Sequence, residues 1–132
     1  MRIQFSSVLV DDQDRALRFY TEVLGFTKMA DIPMGEYRFL TVASKDHPED
    51  AQLVLEAIRF PPSAVYQKAL YDASMPATSV ISTDLEKDRA ELTAKGVRFR
   101  GEPRNAGVIL TVLFEDTCGN LVNLVQPLQM PG

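Results

Sequence analysis

With 132 residues and 45% hydrophobic content, the chain is long enough for one ordinary compact domain, or for two small sub-structures sharing a core, and too apolar for a disordered tail. A formal net charge of -4 sets aside nucleic acid or an anionic membrane as the main partner and favours a small neutral or mixed-charge ligand. The single cysteine, Cys118, can neither staple the chain nor build a Cys-type metal site, which reads as a cytoplasmic protein. MRIQFSSVLV at the start lacks the apolar core and cleavage site of a secretion signal, and no apolar run approaches a membrane span.

Residues 2–10 (RIQFSSVLV) are predicted to form a strand that ends at DDQD, where Asp12 is placed to cap a helix. RALRFYTEVLGF then sets Ala16, Tyr20, Val23 and Leu24 on one helical face and stops at Gly25. Three β-like runs follow, FTKMADI, YRFLTVA and AQLVLEA, separated by PMGE and the polar SKDHPED. Residues 59–76, bounded by prolines and holding a short helical pattern, read as a connector. The order then repeats, with ATSVIST as a strand, DLEKDRAELTAKG as a helix, and VRFRG, VILTVLFED and NLVNLVQ as strands.

The repeat also shows in residues. SVLVDDQDRAL and SVISTDLEKDR begin alike and place Asp12 and Asp84 at the same point, 72 positions apart, and both helices close on glycine, Gly25 and Gly96. Thr83 and Glu86 have capping-box spacing. A βαβββ unit of this size cannot bury its sheet alone, so two must close on each other. The expected fold is α+β, with module one at 1–58, the connector at 59–76 and module two at 77–126. An unrelated α+β sandwich with chance similarity between its halves is the alternative.

The Val-x-Asp strand end, FYTEVLGF, the Asp-started helix ending AKGV and the Asp-x-x-Gly-Asn turn, in this order, resemble the vicinal oxygen chelate superfamily: glyoxalase I, extradiol dioxygenases, and fosfomycin and bleomycin resistance proteins. The resemblance implies paired βαβββ modules curled around a cavity, in a homodimer with sites near the subunit interface. It also places the family's four metal-ligand positions on Phe5, Val54, Ala77 and Asn123. Three of these have no lone pair to offer and an amide oxygen is a weak donor, whereas a divalent ion needs about three protein ligands at short range. No metal and no cofactor is therefore expected.

Strand alternation puts Phe5, Ser7 and Leu9 on one face, as it does Gln52, Val54 and Glu56, Ala77, Ser79 and Ile81, and Leu121, Asn123 and Val125. The candidate cavity is accordingly lined by Phe5, Ser7, Gln52, Val54, Glu56, Ala77, Ser79, Leu121 and Asn123, mostly apolar with a few polar groups, as small-molecule sites are. Glu56 is its one carboxylate. Desolvated there it would suit a general base or the recognition of a ligand cation; otherwise it is a strand-end carboxylate reaching solvent. His47, in SKDHPED, reads as solvated loop, and Lys95, Arg98, Arg100 and Arg104 as either an anion-receiving stretch or a protected sheet edge. With no histidine or lysine beside it in sequence, Cys118 shows no sign of a nucleophile. Three functions follow. The first is a metal-free, bleomycin-resistance-like homodimer that binds a small, partly apolar molecule, with no nucleic acid and no membrane as partner. The second is a lyase, isomerase or dioxygenase of the same superfamily using Glu56, and the third an inert dimerising module.

Overall fold

The computed structural model describes residues 1–128. The fold is α+β, with two four-stranded mixed sheets and three α-helices. The first sheet comprises β1 (Phe5–Val10), β2 (Thr27–Met34), β3 (Tyr37–Ala43) and β4 (Gln52–Ala57), in the order β1-β4-β3-β2. The second comprises β5 (Thr78–Ile81), β6 (Phe99–Asn105), β7 (Ile109–Glu115) and β8 (Leu121–Pro127), in the order β5-β8-β7-β6. In each, the first strand runs parallel to the last and the other pairs are antiparallel. The helices are α1 (Gln13–Arg18), which packs on β3 and β4, α2 (Pro61–Asp72) in the connector, and α3 (Leu85–Ala94), which packs on β8.

Alternation decides what is buried. Val8, Val10, Leu40, Val42 and Leu55 of the first sheet face inward, as do Val112, Phe114, Val122 and Leu124 of the second, and Ala16, Phe19, Tyr20 and Leu85 fill the space between. The Phe19 and Phe114 rings lie 6.4 Å apart and join the two modules across this core.

Several boundaries differ from the sequence expectation by a few residues: β2 continues through Pro33 to Met34, β5 stops at Ile81, and three others have a physical reason. β1 begins at Phe5 rather than residue 2, because its partner β4 begins at Gln52 and Phe5 is the first residue with a partner opposite. β6 runs on to Asn105, past a register shift between Arg100 and Arg104 that interrupts the alternation at Gly101 and Pro103. The first helix is α-helical only to Arg18 and continues through a π-helical turn at Phe19–Val23, where the Leu24 N–H donates to the Phe19 carbonyl at 3.0 Å. One residue accounts for that turn: Gly25 lies thirteen positions after its cap Asp12, whereas Gly96 lies twelve after Asp84. Asp12 caps as expected, accepting from the Arg15 N–H at 3.0 Å; in the second helix the cap is Asp84, which accepts from the Lys87 N–H at 3.2 Å, rather than the Thr83 that the capping-box spacing with Glu86 pointed to. The two helix ends then meet, the Lys95 ammonium donating to the Val23 carbonyl at 3.3 Å.

PMGEYRF is a structural device. Met34 pairs with Tyr37, so Gly35 and Glu36 form a two-residue hairpin turn, and Gly35 takes the φ of +67° that such turns need at their first position. Arg38 then binds Asp31 through two hydrogen bonds of 3.0 and 3.2 Å and also reaches Asp14 on α1. The Gln13 amide donates to the Arg38 and Leu55 carbonyls and accepts from the Arg38 N–H, fastening α1 to the sheet. Held by Arg38, the Asp31 carboxyl lies below its ordinary pKa of 3.8, so its contribution to stability is present above that value and lost as pH falls through the lower folded one. Asp31→Asn is therefore expected to lower the urea midpoint at pH 7 and leave it nearly unchanged near pH 2, which paired unfolding curves would check.

Candidate functional site

The inward sets leave the opposite face of each sheet open. On the first sheet β1 and β4 align Phe5 with Gln52, Ser7 with Val54 and Leu9 with Glu56, and these six residues share the open face. The same face continues through Phe39 and Tyr37 of β3 to Ile32 and Met34 of β2. It is apolar and largely uncovered: Phe5 is 49% exposed, Ile32 53% and Met34 58%. The Phe5 and Phe39 rings meet edge to face at 5.5 Å, and the Arg59 guanidinium sits 5.4 Å from the centre of the Tyr37 ring. Glu56 is exposed here, beside a small hollow of about 70 Å³ shared with Phe39, Val54 and Arg59. The Gln52 side chain is ordered by Thr41, whose hydroxyl donates to it at 2.7 Å.

On the second sheet Ser79 aligns with Asn123, Asn123 with Leu113, and Leu121 with Glu115. Ser79 is exposed and Asn123 half-buried, and both face outward. The two other expected members differ. Leu121 is fully buried at the end of the sheet that α2 crosses, where the Tyr71 hydroxyl donates to Glu115. Ala77 is half-buried and packs against the inter-sheet core. The nine residues are therefore grouped by sheet, five on the first and four beside or on the second. A cavity of about 320 Å³ that touches both modules takes in Gln52 and Ser79 of the nine.

Among the described residues, no three His, Cys, Asp or Glu side chains gather into a ligand set. The four positions assigned by resemblance hold phenyl, isopropyl, methyl and carboxamide groups, a donor set that does not fit a divalent ion. His47 is exposed. Of the basic stretch, Arg100 lies 5.2 Å over the Tyr71 ring and 3.7 Å from Glu115, so it is engaged within the chain.

The Asp-Thr-Cys-Gly-Asn turn is a densely bonded, buried polar site, and sequence reasoning missed its role. Asp116 is fully buried and accepts four hydrogen bonds, from the Tyr20 hydroxyl (2.8 Å), the Asn120 amide (2.8 Å), and the backbone N–H groups of Cys118 (2.8 Å) and Asn120 (3.1 Å). Asn120 also donates to the Leu9 carbonyl at 2.7 Å, and the Gln67 amide of α2 donates to Leu9, Cys118 and Asn120 at 3.0 to 3.2 Å. One node thus joins β1, the first helix, the connector and the β7–β8 turn. Burial raises the Asp116 carboxyl above its ordinary value against the pull of its donors, and burial with the Asp116 charge raises the Tyr20 phenol well above 10. Burial and the Asp116 charge also push the Cys118 thiol up to about 12, which leaves it inert as a nucleophile. The one sequence signal for this node was the Asp-x-x-Gly-Asn spacing, since Gln67 lies about fifty residues upstream.

Gly119 has a φ of +97°, and a Cβ there would lie 2.9 Å from the Gln67 amide. Gly119→Ala is expected to cost about 2 kcal/mol in chemical denaturation, from backbone strain and displacement of Gln67 together.

Residues 2–124 match the Glyoxalase/Bleomycin resistance protein/Dioxygenase superfamily, and the chain belongs to it. It is 43% identical to Uncharacterized protein YurT of Bacillus subtilis (strain 168), over 96% of this chain and 99% of YurT. The structure of UcmS2 superposes with a TM-score of 0.80 at 29% identity, covering 95% of this chain and 97% of UcmS2. TnmS3, an antibiotic binding protein from Streptomyces sp. CB03234, gives a TM-score of 0.74 at 32% identity and 96% coverage of both chains. Among the described residues no helix is long and apolar enough to cross a membrane.

Proposed function

We propose that the chain binds a small, partly apolar molecule on its open sheet faces, without a bound metal, as a homodimer acting in the cytoplasm. The carrying observation is the uncovered face of the first sheet, an apolar surface of the Phe5–Phe39 pair, Leu9, Val54, Ile32 and Met34 that carries the carboxylate of Glu56. An apolar wall with few polar groups binds and orients a ligand and offers little for chemistry. The likeness to TnmS3 over the whole chain supports binding over catalysis.

A single chain turns its open faces to solvent, with Phe5 on one and Ile81 (69% exposed) on the other. In the dimer proposed here a second copy brings its β5–β8 face over the β1–β4 face, enclosing a cavity from both copies and removing that apolar surface from water. Glu56 would then be desolvated and recognise a donor or cation on the ligand.

The test combines light scattering, elemental analysis and a thermal-shift screen of antibiotics and small metabolites. A dimer without stoichiometric metal, whose melting temperature rises with a screened compound, is the expected result. A tightly held equivalent of zinc, nickel, iron or manganese, with metal-dependent turnover of a glutathione hemithioacetal or a catechol, would replace binding by catalysis.

A further inference from the structure

The two halves of the chain correspond strand by strand, and one of the places where they differ is the end of the seam between the sheets. Leu9 corresponds to Ile81, Val42 to Phe114 and Ser44 to Asp116, each pair 72 positions apart. Val42 pairs with Leu53 and Phe114 with Val122, so Ala51, two residues before Leu53, stands where Asn120 stands before Val122. The node that seals one end of the seam between the sheets therefore has a counterpart at the other end. There Ser44 replaces the four-bonded carboxylate and Ala51 replaces the amide that reaches across to β1. Gln67 has no counterpart, because the connector occurs once.

The counterpart is a cavity of about 320 Å³ lined by Ser44, Ala51 and Ile81, the equivalents of Asp116, Asn120 and Leu9. Its floor is apolar, made by Val42, Leu53 and Val80 from the inner faces of the two sheets and by Phe26, just before β2. Ser6, Ser44 and Thr78, on the inward side of their strands, add hydroxyl-bearing residues to the lining, and Gln52 and Ser79 of the open faces border it. Asp50 is the one charged residue in the lining. The volume is at the low end of those that hold small ligands.

We propose that this cavity is a second binding site, in the seam between the modules and apart from the open faces, for a small molecule with a protonated amine on an apolar body. A lone carboxylate with hydroxyls around it repels anions and pairs with an ammonium, while the aliphatic and Phe26 floor takes a ring or short chain. Gln52 and Ser79, at the mouth, are the residues it shares with the candidate set of the open faces.

Benzylamine, benzyl alcohol and benzoate are matched probes, titrated into the full chain while amide resonances are followed by ¹H–¹⁵N NMR. Benzylamine is expected to shift the Ser44, Asp50, Ala51 and Thr78 amides saturably in the millimolar range, benzyl alcohol to bind about tenfold more weakly, and benzoate to leave them in place. Ala51→Leu, which fills the cavity, should abolish the shifts. Asp50→Asn, nearly isosteric on an exposed loop, should weaken benzylamine about tenfold and leave benzyl alcohol unchanged, with the other amides of both variants in their original positions. Absent or unsaturable shifts, equal shifts with benzoate, or indifference to Ala51→Leu would overturn the site. Shifts confined to Phe5, Phe39 and Val54 would also overturn it and report the open face instead, so the two readings fail separately.

Discussion

Replacing Asp116 by alanine is expected to lower the unfolding free energy by about 4 kcal/mol. The carboxylate is buried and accepts from four donors, two on the backbone and two on side chains, Tyr20 from the first helix and Asn120 within the same turn. Alanine leaves all four unanswered in a place water does not reach, and each unpaired buried donor costs more than a hydrogen bond contributes. Asp116→Asn keeps the volume and one acceptor oxygen but turns an N–H group toward donors, so about half the loss is expected. Urea unfolding should show the midpoint falling with an unchanged slope. A loss under about 1 kcal/mol for the alanine variant would mean that water satisfies these donors.

The two aspartates differ in sign with pH. The Asp116 carboxyl lies above 3.8 in the folded chain, so what its protonation adds to stability is full below that value and lost as pH rises through the folded pKa. The penalty of Asp116→Ala should hold or grow in acid, where that of Asp31→Asn disappears.

The second large effect is expected on binding. Phe5→Ala should weaken a ligand of the open face by roughly ten- to a hundredfold and shift the melting temperature of the unliganded protein little. The ring is half exposed and touches Phe39 at its edge, so truncation removes little burial from the free chain. A ligand seated against both rings loses one wall of its site. Thermal-shift titration and calorimetry on wild type and variant would show a changed affinity at an almost constant baseline stability. An equal loss of stability and affinity would instead make Phe5 a structural residue.

Much of this arrangement was legible in the sequence because it depends on short periods. Alternation of two placed Phe5, Ser7, Gln52, Val54 and Glu56 on one face, and the strand register puts them there. Asp12 and Asp84 announced two helix starts, and Gly25 and Gly96 two ends. What periodicity cannot carry is contact between distant segments. Leu121 has the alternation of an open-face residue and is buried near α2, which sequence spacing does not reveal. Gln67 looks like any polar residue of an amphipathic connector until Gly119 and the Leu9 carbonyl are found beside it. The one-residue difference between the helices was countable, yet only the hydrogen bonds show that the extra residue is absorbed as a π turn.

The Asp116 node also bears on the order in which the chain folds. Its bonds close across 96 residues from Tyr20 and 111 from Leu9, among the most distant pairings in the molecule. During synthesis the first module emerges with the end of β1 and the Tyr20 hydroxyl unmatched, and both stay so until residue 120 has left the ribosome. The first four strands thus wait on the last hairpin, and an interruption of translation before that point releases a chain with its seam still open.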